Sequence, residues 1–353
     1  MTQLIPVRQG EEIDTRKLQE FVTENLQVPH EELEIQQFAS GASNLTYSVR
    51  IGEWEAVLRR PPLGPVAPKA HDMEREFLLL QSIHPTFPVA PKPLVFSKDE
   101  TIVGAPFFLM ERRHGYLFDT SYPKEVTPSH DTNQMLSKLM VDNLVKLHGI
   151  SYKGTKLEEL SKPEGFMERQ VKGWLKRYDR SQTDDIKEVE PLRKWLLSNI
   201  PHTEESTVIH YDYKLNNALF SQDVKEMVGL FDWEMSTVGD PLADVGAAMS
   251  YWMEPADPKL LVYGLGQPTL TIQKGFYSRA EFIDSYGMAT GRDMSKIHYY
   301  TTFATFKLAV ICQQIYYRYQ KGQTTDDRFQ QFNQFVRTLI QHAEGLAEKG
   351  GIH

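Results

Sequence analysis

The sequence predicts an α+β chain in two lobes, a small, mostly antiparallel β lobe leading into a large, mostly α lobe. Three observations predict it. Short runs of apolar and β-forming residues crowd the stretch between Glu34 and Met110. Long segments with apolar residues at helical spacing fill most of the remainder. Between the two textures a polar connector, Arg112-Arg113-His114-Gly115, breaks the apolar pattern. The divisions implied are 1–111 for the first lobe, 112–115 for a hinge and 116–353 for the second.

Taken in order, 34–39 reads as a strand, and Leu45, Tyr47, Val49 and Ile51 alternate with Thr46, Ser48 and Arg50 as a half-buried strand does. Gly52-Glu53 is a tight turn, and 54–59 returns as the next strand. After a Pro-rich loop at 61–68, one helix is expected over about 69–83, the single helix of the first third. Met73, Phe77 and Leu80 form its apolar stripe; at 100° per residue Glu76 falls inside that stripe and Glu74 outside it. Glu76 is thus a carboxylate aimed at the core, and such a group needs a cationic partner. Residues 94–96 and 107–110 are further strands. Met135, Leu136, Leu139, Met140, Leu144 and Leu147 mark a long amphipathic helix, and later helices are expected near 166–180, 188–199, 278–286, 294–321 and 326–347.

Composition narrows the function. The balance of 39 basic against 47 acidic residues, −8 overall, gives no general attraction for phosphate backbones or anionic lipid, so no nucleic-acid role is expected. Cys312 is the only cysteine, which excludes a disulfide within the chain and a thiolate metal cluster; its setting, Leu308-Ala309-Val310-Ile311-Cys312, reads as a small buried side chain. No apolar run approaches the length of a membrane span and 1–10 lacks a signal-peptide core, so a soluble, cytoplasmic chain is expected.

The chemistry is carried by Val208-Ile209-His210-Tyr211-Asp212-Tyr213-Lys214-Leu215-Asn216-Asn217-Ala218-Leu219-Phe220, in which apolar residues flank an H-x-D-x-K-x-x-N cluster. A second apolar strand ends in Asp232-Trp233-Glu234, with Asp232 20 positions after Asp212. Phosphoryl transfer needs these residue types together. The moving group carries negative charge that Mg²⁺ neutralises, and Mg²⁺ prefers the hard oxygens that Asp232 and Asn217 offer. A separate carboxylate must take the proton of the acceptor hydroxyl, the role that fits Asp212, and Lys214 can place positive charge on the transferred group. His210 reads as a scaffold residue of the loop. Zinc is not indicated, because His210 has no second histidine at ligand spacing.

This pattern, with Gly239-Asp240-Pro241-Leu242-Ala243-Asp244-Val245 behind it, resembles the aminoglycoside phosphotransferase family of the protein-kinase-like superfamily, in the branch associated with acyl-CoA dehydrogenases; the resemblance spans roughly residues 30–320. It implies a bilobal kinase-like fold, ATP as donor and a small-molecule hydroxyl as acceptor, bound in the cleft between lobes. The loop 38–47 resembles the family's G-x-[SG]-N-x-T-Y, which implies that Gly41, Ser43 and Asn44 contact phosphate oxygens. The next strand supplies Val57 over the adenine and, on the same face, Arg59 where the family at large has lysine; Arg60 points away, and Glu76 becomes the ion-pair partner of Arg59. Met110 to Arg113 resembles the hinge, which implies adenine contacts from the Glu111 carbonyl and the Arg113 amide. The reading thus places Asp212, Asp232 and the Asn217 amide around one magnesium–triphosphate under an Arg59–Glu76 clasp.

Blander readings compete at several positions. In the family Asp240 and Asp244 brace the catalytic loop rather than act on substrate. Glu234 either reaches Mg²⁺ through water or makes a structural hydrogen bond. Residues 173–178 line the acceptor pocket or form an ordinary surface helix, and Gln313, Gln314, Tyr316, Tyr317 and Arg318 read as the polar face of a helix. For the acceptor, the branch implies a hydroxyacyl-CoA-like metabolite, whereas an aminoglycoside would need an acidic pocket, for which Glu254, Asp257, Glu281 and Asp284 are the available acids. The alternative to an enzyme is a nucleotide-binding pseudokinase that regulates a partner.

Overall fold

The protein is described by a computed structural model covering residues 4–39, 44–62, 71–264, 267–324 and 327–349. Along the chain run β1 (Leu4–Ile5), α1 (Thr15–Asn25), β2 (Leu33–Phe38), β3 (Leu45–Ile51), β4 (Trp54–Arg60), α2 (Met73–Ile83), β5 (Pro93–Ser97), α3 (Glu100–Val103), β6 (Phe107–Glu111) and β7 (Tyr116–Leu117). Then follow α4 (His130–His148), α5 (Lys156–Leu160), α6 (Phe166–Ser181), α7 (Val189–Ser198), β8 (Thr207–Ile209), β9 (Ala218–Phe220), β10 (Met227–Leu230) and β11 (Thr237–Gly239). The chain continues with α8 (Pro241–Tyr251), α9 (Lys259–Tyr263), α10 (Arg279–Thr290), α11 (Ile297–Gln320) and α12 (Phe332–Lys349).

Contacts divide the chain into two compact units. One comprises 1–117, 152–160 and 217–236; the other comprises 118–151, 161–216 and 237–353. The first holds a six-stranded antiparallel sheet in the order β1-β2-β3-β4-β6-β5, plus a three-stranded sheet β10-β9-β7. Gly52, at φ +55, makes the turn between β3 and β4, a conformation open to glycine at little cost. Register and parity decide what each face of β4 meets. Ala56 and Leu58 enter a core with Tyr47, Val49, Ile51, Phe107 and Leu109. Arg60, of the same parity, is buried and donates to the Glu11 carbonyl (2.9 Å), the Tyr47 hydroxyl (2.9 Å) and the Val103 carbonyl. Val57 and Arg59 take the opposite face, where α2 packs: Phe77 meets Phe108 edge-on at 6.2 Å, and Phe108 is the register partner of Arg59.

Two corrections to the sequence reading arise here. The first third carries more than one helix, because α1 places Leu18 and Val22 in the sheet core. The helix expected from about 69 has its N-cap at Asp72, whose side chain accepts from the Arg75 N–H, so His71 and Asp72 precede it; Lys69 and Ala70 lie outside the described residues.

The second unit is mainly helical, with α8 and α11 packed at its centre. A Cβ at Gly246 would lie 2.6 Å from the backbone of Tyr300, so only glycine allows the two helices this close. Asp240 caps α8, and Pro241 occupies its first turn, where no backbone donor is lost. A two-stranded ladder, β8 with β11, delivers the residues that follow Ile209. Cys312 is buried, and burial pushes its thiol up to about 12. Among the described residues no helix is long and apolar enough to cross a membrane.

Candidate active site

In the first unit, three stretches distant in sequence meet at the Arg59 guanidinium. β4 points Arg59 at α2, and the pairing expected from strand parity and helix phase is present: Arg59 Nε lies 3.4 Å from Glu76 Oε1, with both side chains almost wholly buried. The far edge of the guanidinium faces the turn after β10. Nη1 is 3.3 Å and Nη2 3.4 Å from Asp232 Oδ1, and Nη2 is 3.7 Å from Glu234 Oε2. Glu234 also accepts from Asn44 Nδ2 at 2.7 Å, and Asn44 Oδ1 meets His71 Nδ1 at 2.7 Å. Arg75 of α2 reaches the backbone carbonyls of Glu234 (3.5 Å) and Ser236. Of the two roles weighed for Glu234, the hydrogen-bonding one is present.

One guanidinium against three carboxylates is an uneven balance. Burial raises the Glu76 carboxyl, and the like charges of Glu234 and Asp232 add to it; Arg59 opposes them, and the net result is a value pushed up to about 7. Burial disfavours the charge on Arg59, but Glu76, Asp232 and Glu234 outweigh it and hold the guanidinium above its ordinary value. Asp232 keeps 42% of its side chain accessible and sits at φ +66. An accessible carboxylate on a left-handed residue is a constrained arrangement of the kind found at functional sites. Its hard oxygens suit Mg²⁺, an ion that takes one or two carboxylates and fills its remaining positions with water and phosphate, and the Asn217 side-chain amide of the same unit offers another such oxygen. Among the described residues no group of three or more His, Cys, Asp or Glu is placed to hold a metal ion by itself, which such an ion does not require.

Other candidates of this unit have plainer surroundings. Val57 is buried on β4 beside Arg59. Glu111 ends β6 and pairs with Arg113 Nη2 at 2.9 Å, and Arg113 also donates to the Pro88 carbonyl at 2.7 Å. Gly41 and Ser43 lie outside the described residues. The Asn217 carbonyl accepts from the Phe231 N–H at 2.9 Å, which ties the end of the H-x-D-x-K-x-x-N segment to the approach to Asp232.

The second unit holds Asp212 and Lys214. Lys214 Nζ is 3.1 Å from Asp212 Oδ2 and 4.9 Å from the Tyr251 ring centroid. Burial would raise the Asp212 carboxyl; Lys214, His210 and a hydrogen bond from Tyr251 outweigh it and hold the group below the usual carboxylate range. His210 is fully buried, and its Nδ1 accepts from the Asp212 N–H at 3.3 Å, a scaffold contact. Asp244 braces the loop from behind. Its Oδ2 accepts from His210 N–H (2.6 Å) and meets His148 Nε2 (3.1 Å), and its Oδ1 accepts from Tyr211 N–H (2.8 Å). Asp240 is held by the Tyr300 hydroxyl at 2.7 Å and caps α8, so both aspartates are structural.

Two further stretches weighed in the sequence lie on α6 and α11. Trp174, Leu175 and Tyr178 of α6 are buried, and Gln313 donates to the Ser181 carbonyl at 2.7 Å. Arg279 engages both Glu254 (3.0 Å) and Asp257. Glu281 closes a capping box on Ser278. Three of the four acids considered for a polycation are therefore committed to other partners.

Sequence reasoning missed Lys307. It sits on α11, buried, with Nζ 3.0 Å from the Tyr211 carbonyl oxygen. The signal was available: Lys307 is four residues after Phe303 and three before Val310, on the buried face of its helix.

The sequence profile of the "Phosphotransferase enzyme family" matches residues 34–274. Among curated proteins, acyl-CoA dehydrogenase family member 10 of Mus musculus is 30% identical over 322 residues, covering 90% of this chain and 30% of that protein. Family member 11 of Gallus gallus is 29% identical over 355 residues, covering 97% of this chain and 44% of that protein. The chain therefore spans less than half the length of these curated relatives. Among solved structures, one from Ralstonia eutropha JMP134, described as a candidate aminoglycoside phosphotransferase, is 26% identical with a TM-score of 0.80, covering 96% of this chain and 99% of its own. Choline kinase from Cryptosporidium parvum Iowa II, at 13% identity and a TM-score of 0.66 over 95% and 96% of the two chains, shares the fold. The kinase-like fold class expected from the sequence holds.

Proposed function

This chain belongs to the phosphotransferase enzyme family, and we propose that it moves the γ-phosphoryl group of ATP to a hydroxyl of a small molecule. The observation that supports this most directly is the convergence of Arg59, Glu76, Asp232 and Glu234 in one unit. In this reading residues 1–111 form the nucleotide-binding lobe and 112–115 the hinge, with adenine contacts at the Glu111 carbonyl and the Arg113 amide beneath Val57. Gly41, Ser43 and Asn44 contact phosphate oxygens, Arg59 binds the α- and β-phosphates, and Glu76 fixes its fork. Asp232 and Asn217 hold Mg²⁺, which when bound neutralises phosphate charge. Asp212 takes the proton of the acceptor hydroxyl as that oxygen bonds to the γ-phosphorus, and the bond from the γ-phosphorus to the β,γ-bridging oxygen breaks to release ADP. A base kept ionised suits that step, and Asp212 is held low by Lys214 and His210 against its burial. Lys214 places positive charge on the transferred group.

For the acceptor we favour a hydroxyacyl-CoA-like metabolite over an aminoglycoside. The curated relatives are acyl-CoA dehydrogenase family members, and the carboxylates of Glu254 and Asp257 are taken by Arg279. The test is acceptor-dependent ATP consumption across hydroxyacyl-CoAs, amino alcohols and aminoglycosides, with Asp212→Ala and Asp232→Ala alongside. Each substitution is expected to lower turnover by about 10²-fold or more with the fold intact. Wild-type rates in both variants would end the mechanism, and nucleotide binding without transfer to any acceptor would favour the regulatory pseudokinase.

A further inference from the structure

Tyr211, the residue before Asp212, has φ +66. A bulky residue pays for that left-handed conformation and keeps it only where its surroundings enforce it. The enforcement is visible on every side but one. The Tyr211 N–H is taken by Asp244 Oδ1 at 2.8 Å, and the ring lies 5.8 Å from the Phe166 ring. The phenol oxygen is buried with no hydrogen-bond partner among the described residues, so the hydroxyl anchors nothing. The carbonyl is held by Lys307, whose Nζ donates to it at 3.0 Å and also stands 3.3 Å from the centroid of the Tyr211 ring. A single ammonium thus grips both the backbone and the side chain of the strained residue, and the Trp174 ring, 5.7 Å away, completes its enclosure.

A lysine is a costly way to fill this space. Burial pulls its ammonium down to about 7, with Asp212 and Asp244 opposing the fall and Arg177 and Lys214 adding to it. An apolar side chain of similar length would pack without that desolvation cost, but would leave the Tyr211 carbonyl orphaned in the interior.

We infer that Lys307 is a positioning residue, which locks Tyr211 in its left-handed conformation and so sets the direction in which Asp212 leaves the loop. The inference rests on the proposed role of Asp212 for its functional meaning, but its structural content can be tested apart from it. If Lys307 serves to hold a strained backbone, glycine at 211, which adopts this conformation freely, removes most of the loss caused by replacing Lys307 and leaves only the unpaired residue-211 carbonyl.

The experiment is hydrogen–deuterium exchange, expressed as protection factors, on wild type, Lys307→Met, Tyr211→Gly and the double variant. Lys307→Met is expected to lose about tenfold in protection for amides 210–213, with peptides of the first unit unchanged; the double variant should match Tyr211→Gly within about threefold. Where an acceptor supports turnover, Lys307→Met should lower kcat with the KM for ATP unchanged, and Tyr211→Gly should suppress most of that loss. Wild-type protection in Lys307→Met, or a double variant as unprotected as Lys307→Met, overturns the inference. So does loss of the fold in both Lys307→Met and Lys307→Gln, which would make the lysine an ordinary structural member. Absence of phosphoryl transfer in the wild type would sink the proposed function and leave the exchange result standing.

Discussion

In the first unit one guanidinium faces three carboxylates, whereas in the second the Asp212 carboxylate has the Lys214 ammonium 3.1 Å away and the Lys307 ammonium gripping the adjoining residue. The same functional group, a carboxyl, therefore meets opposite conditions. Glu76 is raised by burial and by the like charges of Glu234 and Asp232, and Arg59 does not restore it. Asp212 is lowered, because Lys214, His210 and Tyr251 overcome its burial. The first arrangement has a surplus of negative charge and an accessible carboxylate at Asp232, the disposition that welcomes a cation. The second has its charge compensated and its backbone pinned, the disposition that keeps one carboxylate ionised and aimed.

The largest effect that can break this comparison is on stability. If Arg59, ahead of Arg75, is the main compensation for the buried Glu76 carboxylate, Arg59→Met should destabilise the protein by about 3–5 kcal/mol, since removing one partner leaves a poorly compensated buried charge. Adding Glu76→Gln should recover most of that loss. Chemical denaturation of the two variants measures both numbers, and a loss below about 1 kcal/mol in Arg59→Met would mean that the first region does not behave as an ion cluster.

Much of that cluster was legible in the sequence because two independent periodicities point to it: the period of 2 that places Arg59 with Val57, and the 3.6-residue phase that turns Glu76 inward. The strands β2 to β6 were legible for the same reason. Five helices were not: α3, α5 and α9, each of only one turn or so, and the longer α1 and α8. The α1 stripe of Leu18, Phe21 and Val22 is interrupted by charges. α8 is buried on nearly all sides, so it shows no polar face and hence no amphipathic signal, and only the Asp240-Pro241 start marks it. Lys307 was hidden by the opposite effect: a lone charge in an apolar helix reads as an interruption until the residue that needs it, strained Tyr211, is seen beside it. Backbone strain at positions 211 and 232 has no sequence signature when neither residue is glycine.

The pH dependence of stability sharpens the comparison through its sign. The Glu76 carboxyl is raised from 4.5 to about 7 on folding, so the folded state holds the extra proton between those values. Its contribution is present in full below about 4.5 and is lost as pH rises toward about 7. Wild type should therefore lose stability relative to Glu76→Gln across that window, by roughly 3 kcal/mol if the whole shift is realised. Asp212, lowered on folding, carries the reverse sign: its contribution is present above its unfolded value and disappears as pH falls through the folded one. Unfolding free energies of wild type, Glu76→Gln and Asp212→Asn at several pH values separate the two. A Glu76→Gln curve parallel to wild type from pH about 4.5 to 7 would show that the first region is not electrostatically strained.

The smallest expected effect concerns Lys214, to which two roles fall. As the neighbour of Asp212 it keeps the proposed base ionised; as a cation near the transferred group it would stabilise phosphoryl charge. The roles leave different marks on a pH–rate profile. In the first, Lys214→Met lets burial raise the Asp212 carboxyl, and the acid limb of phosphoryl transfer moves upward with it while the plateau changes little. In the second, the plateau falls at every pH and the acid limb stays where it was. The 3.1 Å approach of Nζ to Asp212 Oδ2 favours a displaced limb. An acid limb that does not move would transfer the lowering of Asp212 to His210 and to the Tyr251 hydrogen bond, which survive the substitution.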